Sequence, residues 1–400
     1  MTAGASSAGH LLQLFRTGQV STRRELQSLT GLARSTVTFR VDALLAAGYL
    51  VEGGVIEAGL GRPAARLRVN DEQPTVLAAD LGATHGRIAV CTAHGEVLAE
   101  ELFESDIRSG PGEVLARVKG VFEQLLQGSG RPAASLAGIG VGVPGRVRAD
   151  GRIARSISMA GWDDFPVAGY LEEHFRVPVV VDNDANLLGL GEQFTVHPQV
   201  HLMIFVKVGT GIGAAIVVDG QVLRGRHAAE GDIGHVKVSG VQDVCSCGAI
   251  GCLAATASGR GMVRDLSRLG HGLSTSRDVV ALVRQGDPDA VRIVFEAGRR
   301  LGSVLSTAVS LLNPEVVVIG GDIADAHEQL LGGVRETLLS QTQPLATAHL
   351  TVVPSALQDH AGITGAVLMV RDRIFGAEAV DAEIERRDNL RQAVHREGQG

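Results

Sequence analysis

The stretch Val76-Leu-Ala-Ala-Asp80-Leu-Gly82-Ala-Thr84 runs an apolar strand into a glycine turn that carries an acid and a hydroxyl. The arrangement recurs where His201–Val208 runs into Gly209-Thr210-Gly211-Ile-Gly213. A short apolar run bounded by glycine reads as a buried strand. Glycine permits close approach and unusual dihedrals, so backbone amides and a threonine hydroxyl at such a turn can hold phosphate oxygens. Neither turn is a Walker loop, because no Gly-Lys-Ser/Thr follows. Either one alone reads first as a tight hairpin. Two in equivalent places of two strand systems point to an internal duplication around a nucleotide cleft.

The remaining α/β pattern supports that reading. Strands are expected over Arg87–Cys91, Glu96–Leu102, Leu136–Val143, Val177–Val181, Ala214–Val218 and Val316–Ile319, with a helix over Gly112–Gln127. Gly320-Gly321 follows the last strand and can pack against an adenine ring. Asp182-Asn183-Asp184-Ala-Asn186 closes another strand before a helix starting near Ala185. A carboxylate there can take the proton of an attacking hydroxyl in phosphoryl transfer. It can equally cap the helix or form an Asx turn.

The first 70 residues differ in kind. They carry eight Arg against four acids, whereas the whole 400-residue chain has a net charge of −7. A basic head on an acidic body suits a polyanion. His10–Arg16 is apolar at helical spacing. Ser21 or Thr22 caps a second helix with Glu25 in its first turn. After Gly31 a third helix opens at Ala33 or Arg34 and sets Val37, Val41, Leu44 and Leu45 on one face. Tyr49–Glu57 reads as strand, Gly53-Gly54 turn, strand. This order predicts a winged helix-turn-helix whose third helix offers Arg34, Ser35, Thr36, Thr38 and Arg40 to the major groove of DNA. Arg62, in Gly61-Arg62-Pro63, suits a minor groove. Asn70–Pro74 is a polar linker.

Cysteine is rare, but Cys245-Ser-Cys247-Gly-Ala-Ile-Gly-Cys252 follows His235 by ten residues. One His and three Cys match a closed tetrahedral Zn2+ site. A disulfide framework fits poorly in a large chain without a secretory segment. No apolar run approaches the ~20 residues that span a membrane, and a cytoplasmic protein is expected.

Taken together, the Asp80–Thr84 turn, Asn183-Asp184-Ala-Asn186, Gly209–Gly213, Gly231-Asp-Ile-Gly-His235 and the cysteine cluster resemble the ROK family, which groups bacterial sugar kinases with sugar-responsive repressors. The resemblance extends to about Gly376. It implies an α/β, two-lobed, actin/hexokinase-like fold of duplicated ribonuclease H-like halves. The small lobe would span 75–185, completed by about 355–376, and the large lobe 186–354 with the zinc site. A winged head over 1–70 would precede them, and a charged, helical or frayed tail over 377–400 would follow.

The resemblance also implies roles. Asn183 and Asp184 match a sugar-binding Asn and the catalytic base. His235 matches a zinc ligand that helps place the sugar. Gly82, Thr84, Gly209, Thr210, Gly211, Gly213, Gly320 and Gly321 fall on the nucleotide side. Three positions depart from the family pattern: Asp232 and Ala254 stand where glutamates are usual, and Ser158 where an Asn is expected. The implied function is a repressor of carbohydrate genes, a homodimer or homotetramer on palindromic operator DNA, responding to a sugar in a degenerate kinase cleft. Two alternatives are an active sugar kinase using ATP and Mg2+ with an accessory head, and a regulator controlled by a protein partner.

Overall fold

The computed structural model describes residues 7–56, 64–70, 74–104, 106–154 and 159–397. The chain begins with α1 (Ala8–Arg16), α2 (Arg23–Thr30) and α3 (Arg34–Ala46), then the antiparallel pair β1 (Leu50–Ile56) and β2 (Ala64–Val69). Thr22 caps α2 through a reciprocal pair: its Oγ1 accepts from the Glu25 amide at 3.2 Å, and Glu25 Oε2 accepts from the Thr22 amide at 3.1 Å. Gly31, at φ 68°, ends the helix in the left-handed region. α3 buries Val37, Val41 and Leu44.

Here one expectation is corrected. Gly53-Gly54 is not a turn: β1 runs straight through it, with a register shift between Glu52 and Val55. Glycine serves a bulge as readily as a turn, because both need a backbone free of Cβ. The partner strand is β2. The segment joining them, with Arg62, lies outside the described residues, as does Ser158.

The small lobe holds β3 (Thr75–Leu81), β4 (His85–Thr92), β5 (Val97–Glu104), α4 (Pro111–Gly128), β6 (Leu136–Val143), α5 (Val167–Phe175) and β7 (Val179–Asn183). α6 (Asp184–Val196) follows. The large lobe holds β8 (Leu202–Val208), β9 (Ile212–Val218), β10 (Gln221–Val222), α7 (Ala254–Ala257), α8 (Gly259–Arg268), α9 (Ser276–Arg284), α10 (Pro288–Leu312), β11 (Val316–Gly320), α11 (His327–Gln341), α12 (Pro344–Thr347) and β12 (Thr351–Pro354). α13 (Ala361–Phe375) and α14 (Ala377–Glu397) close the chain.

Sheet orders β5-β4-β3-β6-β7 and β10-β9-β8-β11-β12 are the same topology twice. In each, the first strand pairs antiparallel with the second and parallel with the fourth. The duplication read from the glycine turns is therefore a duplication of the sheet. Between the sheets, α6 and α13 cross at contact distance. A Cβ on Gly191 would stand 2.1 Å from the Ala361 carbonyl oxygen, and one on Gly365 would stand 2.0 Å from that of Leu187. Buried Glu192 ties the exit of β12 to α6 by accepting from Ser355 Oγ at 2.8 Å and the Ala356 amide at 2.7 Å.

The charged tail is a docked helix. Gly9 of α1 lies so close to Ala377 that a Cβ would meet its carbonyl oxygen at 2.0 Å. Asp381 Oδ1 accepts from the Gly9 amide at 2.8 Å, and Gln13 Nε2 donates to the Phe375 carbonyl at 2.6 Å. One apolar core runs from Leu11, Leu12 and Leu26 through Phe375 and Val380 to Ile363 and Val76. Head and small lobe thus share their interior. Among the described residues, no helix is long and apolar enough to cross a membrane.

Candidate functional site

A cavity of about 1090 Å³ lies between the lobes, lined from both. β7 delivers Asn183 and Asp184 to its floor. Asn183 accepts from the Ala185 amide at 3.0 Å, capping α6, and donates from Nδ2 to the Gly145 carbonyl at 3.0 Å. The cap and the ligand-binding role are therefore compatible, since one side chain fixes the turn that presents its neighbour. Asp184 Oδ1 accepts from the Ala185 amide at 2.8 Å. Its Oδ2 is bonded to Lys207 Nζ at 2.5 Å.

Lys207 was not singled out by sequence reasoning. It stands on β8, two residues before Gly209, and is one of only three lysines in the chain. A charged residue inside an apolar strand was the signal available. Burial alone would favour its neutral form, but Asp184, Asp80 and Asp322 more than offset this and hold its pKa above the ordinary value. Asp80, at the end of β3, has a buried Oδ1 with no hydrogen-bond partner. Desolvation raises its pKa to about 6, with Lys207 opposing and Asp184 adding to the rise. Burial also works to raise Asp322, but hydrogen bonds from His85 and Ser276 overcome it and hold the pKa at about 2. Ser276 Oγ donates at 2.7 Å, and His85 Nε2 stands 3.4 Å away. Arg224 is a further group missed in the sequence. It pairs with buried Asp182, its Nη1 at 2.8 Å from Oδ1, which also accepts from Asn186 Nδ2 at 2.9 Å.

Of the expected nucleotide-side residues, Gly82, Gly209, Thr210, Gly211, Gly213 and Gly321 line the cavity. Gly320 is buried in β11 against the Phe205 ring, where a Cβ would stand 2.5 Å from a ring carbon. Thr84 is exposed, its hydroxyl 3.2 Å from His85 Nδ1, and is not part of the lining. Asp232, His235 and Ala254 also line the cavity, Ala254 with only a methyl.

His235, Cys245, Cys247 and Cys252 converge so that their ligand atoms all lie within 4.8 Å of one another. Cys245 Sγ is 3.7 Å from His235 Nδ1, and Cys247 Sγ is 3.7 Å from Cys252 Sγ. Tetrahedral zinc with Zn–S bonds of ~2.3 Å sets its sulfurs about 3.8 Å apart, so the four atoms can hold such an ion. Nδ1 of His235 faces the thiols, while Nε2 faces Asp232 Oδ1 at 3.9 Å. The ring can therefore bridge metal and cleft.

On the head, α3 exposes Arg34, Ser35 and Phe39, while Thr36, Thr38 and Arg40 are half-buried. Arg40 Nη1 is buried without a partner. Phe39, 73% exposed, was not anticipated as part of this face.

A two-lobed sugar-kinase-like body with a ligand cleft, joined through one core to a small basic head, is the class that fold and site define. The ROK family model matches residues 76–373, and the chain belongs to that family. It is 27% identical over 374 residues to the xylose repressor of Caldicellulosiruptor bescii, covering 90% of this chain and 94% of that protein. It is also 27% identical to the DNA-binding transcriptional dual regulator NagC of Escherichia coli, covering 87% of this chain and 88% of that protein. The glucokinase of Halalkalibacterium halodurans is 30% identical but covers only 74% of this chain against 94% of its own length. Among solved structures, a ROK family transcriptional regulator homologous to the E. coli MLC protein matches with a TM-score of 0.78, 28% identity, and coverage of 94% of this chain and 98% of that one.

The fold implies magnesium-bound ATP in such a cleft. Carboxylates Asp80, Asp184 and Asp322 are the hard oxygen donors magnesium prefers. Yet an ammonium already stands among them, bonded to Asp184. The carboxylates as placed do not fit the divalent metal.

Proposed function

We propose that this chain is a DNA-binding transcriptional repressor of carbohydrate-related genes, whose cleft binds a sugar or sugar derivative. The observation that carries the reading is the single core shared by the basic head and the cleft-bearing lobe. The repressors it resembles match over nearly the whole chain, whereas the glucokinase matches a stretch about the size of the two lobes. In this reading α1–α3 and the β1–β2 pair form a winged helix-turn-helix. Two copies in a dimer, or in a tetramer, set their α3 helices in successive major grooves, ~34 Å apart, on a palindromic operator.

His235, Cys245, Cys247 and Cys252 hold zinc, and His235 links it to the sugar wall. Ala254 offers no acceptor to sugar hydroxyls, a loss on the order of 1–3 kcal/mol per group left unpaired. Such a cleft suits a sensor in the cytoplasm better than a hexose kinase. The deciding test is a mobility-shift assay on DNA upstream of its own gene at moderate salt. A sequence-specific shift weakened by Arg34→Ala is expected, and its absence overturns the reading. Sugar-dependent ADP release abolished by Asp184→Asn would instead establish the kinase alternative.

A further inference from the structure

The lobes meet at the cleft floor through charge. Lys207 belongs to the large-lobe sheet, and Asp184 directly follows small-lobe strand β7. Their bond, 2.5 Å from Nζ to Oδ2, therefore crosses from lobe to lobe. His85 of the small lobe and Asp322 of the large lobe make a second crossing at 3.4 Å. Asp80 joins the first group from β3, and room for its carboxylate is kept by glycine. A Cβ on Gly362 would stand 2.1 Å from Asp80 Oδ2, and one on Gly142 would stand 3.1 Å from Oδ1.

Three carboxylates converging beside a phosphate-type glycine turn make a hard, anionic pocket of the kind that recruits a divalent cation. A fixed ammonium changes that. It supplies the counter-charge permanently, it occupies the oxygen of Asp184 that would accept a proton or face a metal, and it adds a repulsive charge for any incoming cation. Its stem packs beside the turn itself, with a Cβ on Gly209 falling 3.9 Å from Lys207 Cε.

We propose that Lys207 is a built-in cation at the cleft floor: it excludes a divalent metal from the Asp80–Asp184–Asp322 pocket and ties the two lobes together, so that the cleft takes its sugar without a metal–nucleotide. This rests on the sensor reading of the same site and goes beyond it by assigning the loss of metal to one residue.

The test uses the full chain, zinc-loaded, with Mn2+ as the probe. Mn2+ competes poorly for a thiolate-rich zinc site, so binding there does not interfere. Free Mn2+ is followed by its electron paramagnetic resonance signal in wild type, Lys207→Arg and Lys207→Met. Wild type and Lys207→Arg are expected to leave Mn2+ free at millimolar concentration. Lys207→Met is expected to bind it at least tenfold more tightly, and Lys207→Met/Asp80→Asn to lose that gain. Melting curves establish that each variant is folded. A tight Mn2+ site in wild type overturns the proposal, and this arm needs no variant. A folded Lys207→Met that gains no Mn2+ affinity overturns it too. A missing operator shift would sink the repressor reading while leaving these metal measurements intact, so the two failures are distinguishable.

Discussion

Asp80 and Asp322 are half-buried carboxylates in one cleft with opposite pH consequences. The folded pKa of Asp80, about 6, lies above the ordinary 3.8, so between these values the folded state holds a proton that the unfolded state has released. Its contribution is fully present below the unfolded value and is lost as pH rises through about 6. Asp322, held at about 2, contributes stability above its unfolded pKa and loses it as pH falls through that folded value. A two-unit shift corresponds to ~3 kcal/mol. Urea unfolding of Asp80→Asn at pH 5 and pH 7.5 should therefore show the variant gaining on wild type at the higher pH, by about 1 kcal/mol, since only about one unit of the shift lies between pH 5 and the folded pKa. Parallel pH slopes in the two proteins would contradict the burial argument. At the thiol cluster, Cys252→Ser should abolish stoichiometric zinc by elemental analysis and lower the melting temperature, because ligand binding to a structural site is folding free energy. Full zinc content in that variant would remove Cys252 from the ligand set.

At the scale of elements, the glycines at α1–α14 and α6–α13 set how closely helices approach. Gly9→Ala must push α1 away from the Ala377 carbonyl. Overpacking of this kind costs ~1–3 kcal/mol. The expected signature is local: faster amide exchange across α1–α3 with the large-lobe helices unchanged. Equal exchange in the head of both proteins would mean that α14 does not brace it. These elements also show what could be read from the chain. Apolar runs ending in glycine announced β3, β6, β8 and β11 because a buried strand needs no partner to reveal its pattern. Gly53-Gly54 misled because bulge and turn ask the same freedom of the backbone. The docking of α14 was hidden: its buried contact rests on Val380 and partly buried Ile384, a thin stripe in a charged helix, and its partner lies at the other end of the chain. Lys207 was legible as an oddity, but its meaning depends on Asp80 and Asp184, which only the folded sheets bring to it.

For the whole molecule, α13 touches both ends of the proposed function. Gly362 near its start abuts the Asp80 carboxylate in the cleft, and the carbonyl of Phe375 at its end accepts from Gln13 on the head. In the proposed repressor, a ligand that favours one lobe arrangement would carry α13 with it, and the head should follow because the two share a core. Linkage demands that any such effect be reciprocal: DNA must alter sugar affinity by the same factor that sugar alters DNA affinity, typically 5–150-fold. The informative variant is Gln13→Ala/Asp381→Ala, which removes two hydrogen bonds between α1 and the end of the chain without touching the cleft or α3. With xylose, glucose and N-acetylglucosamine as trial ligands, whichever sugar shifts wild-type operator affinity should bind the variant with unchanged affinity in the absence of DNA. Its effect on operator binding should shrink several-fold. If coupling survives intact in a folded variant, the signal travels by another route, and α13 is a strut rather than a lever.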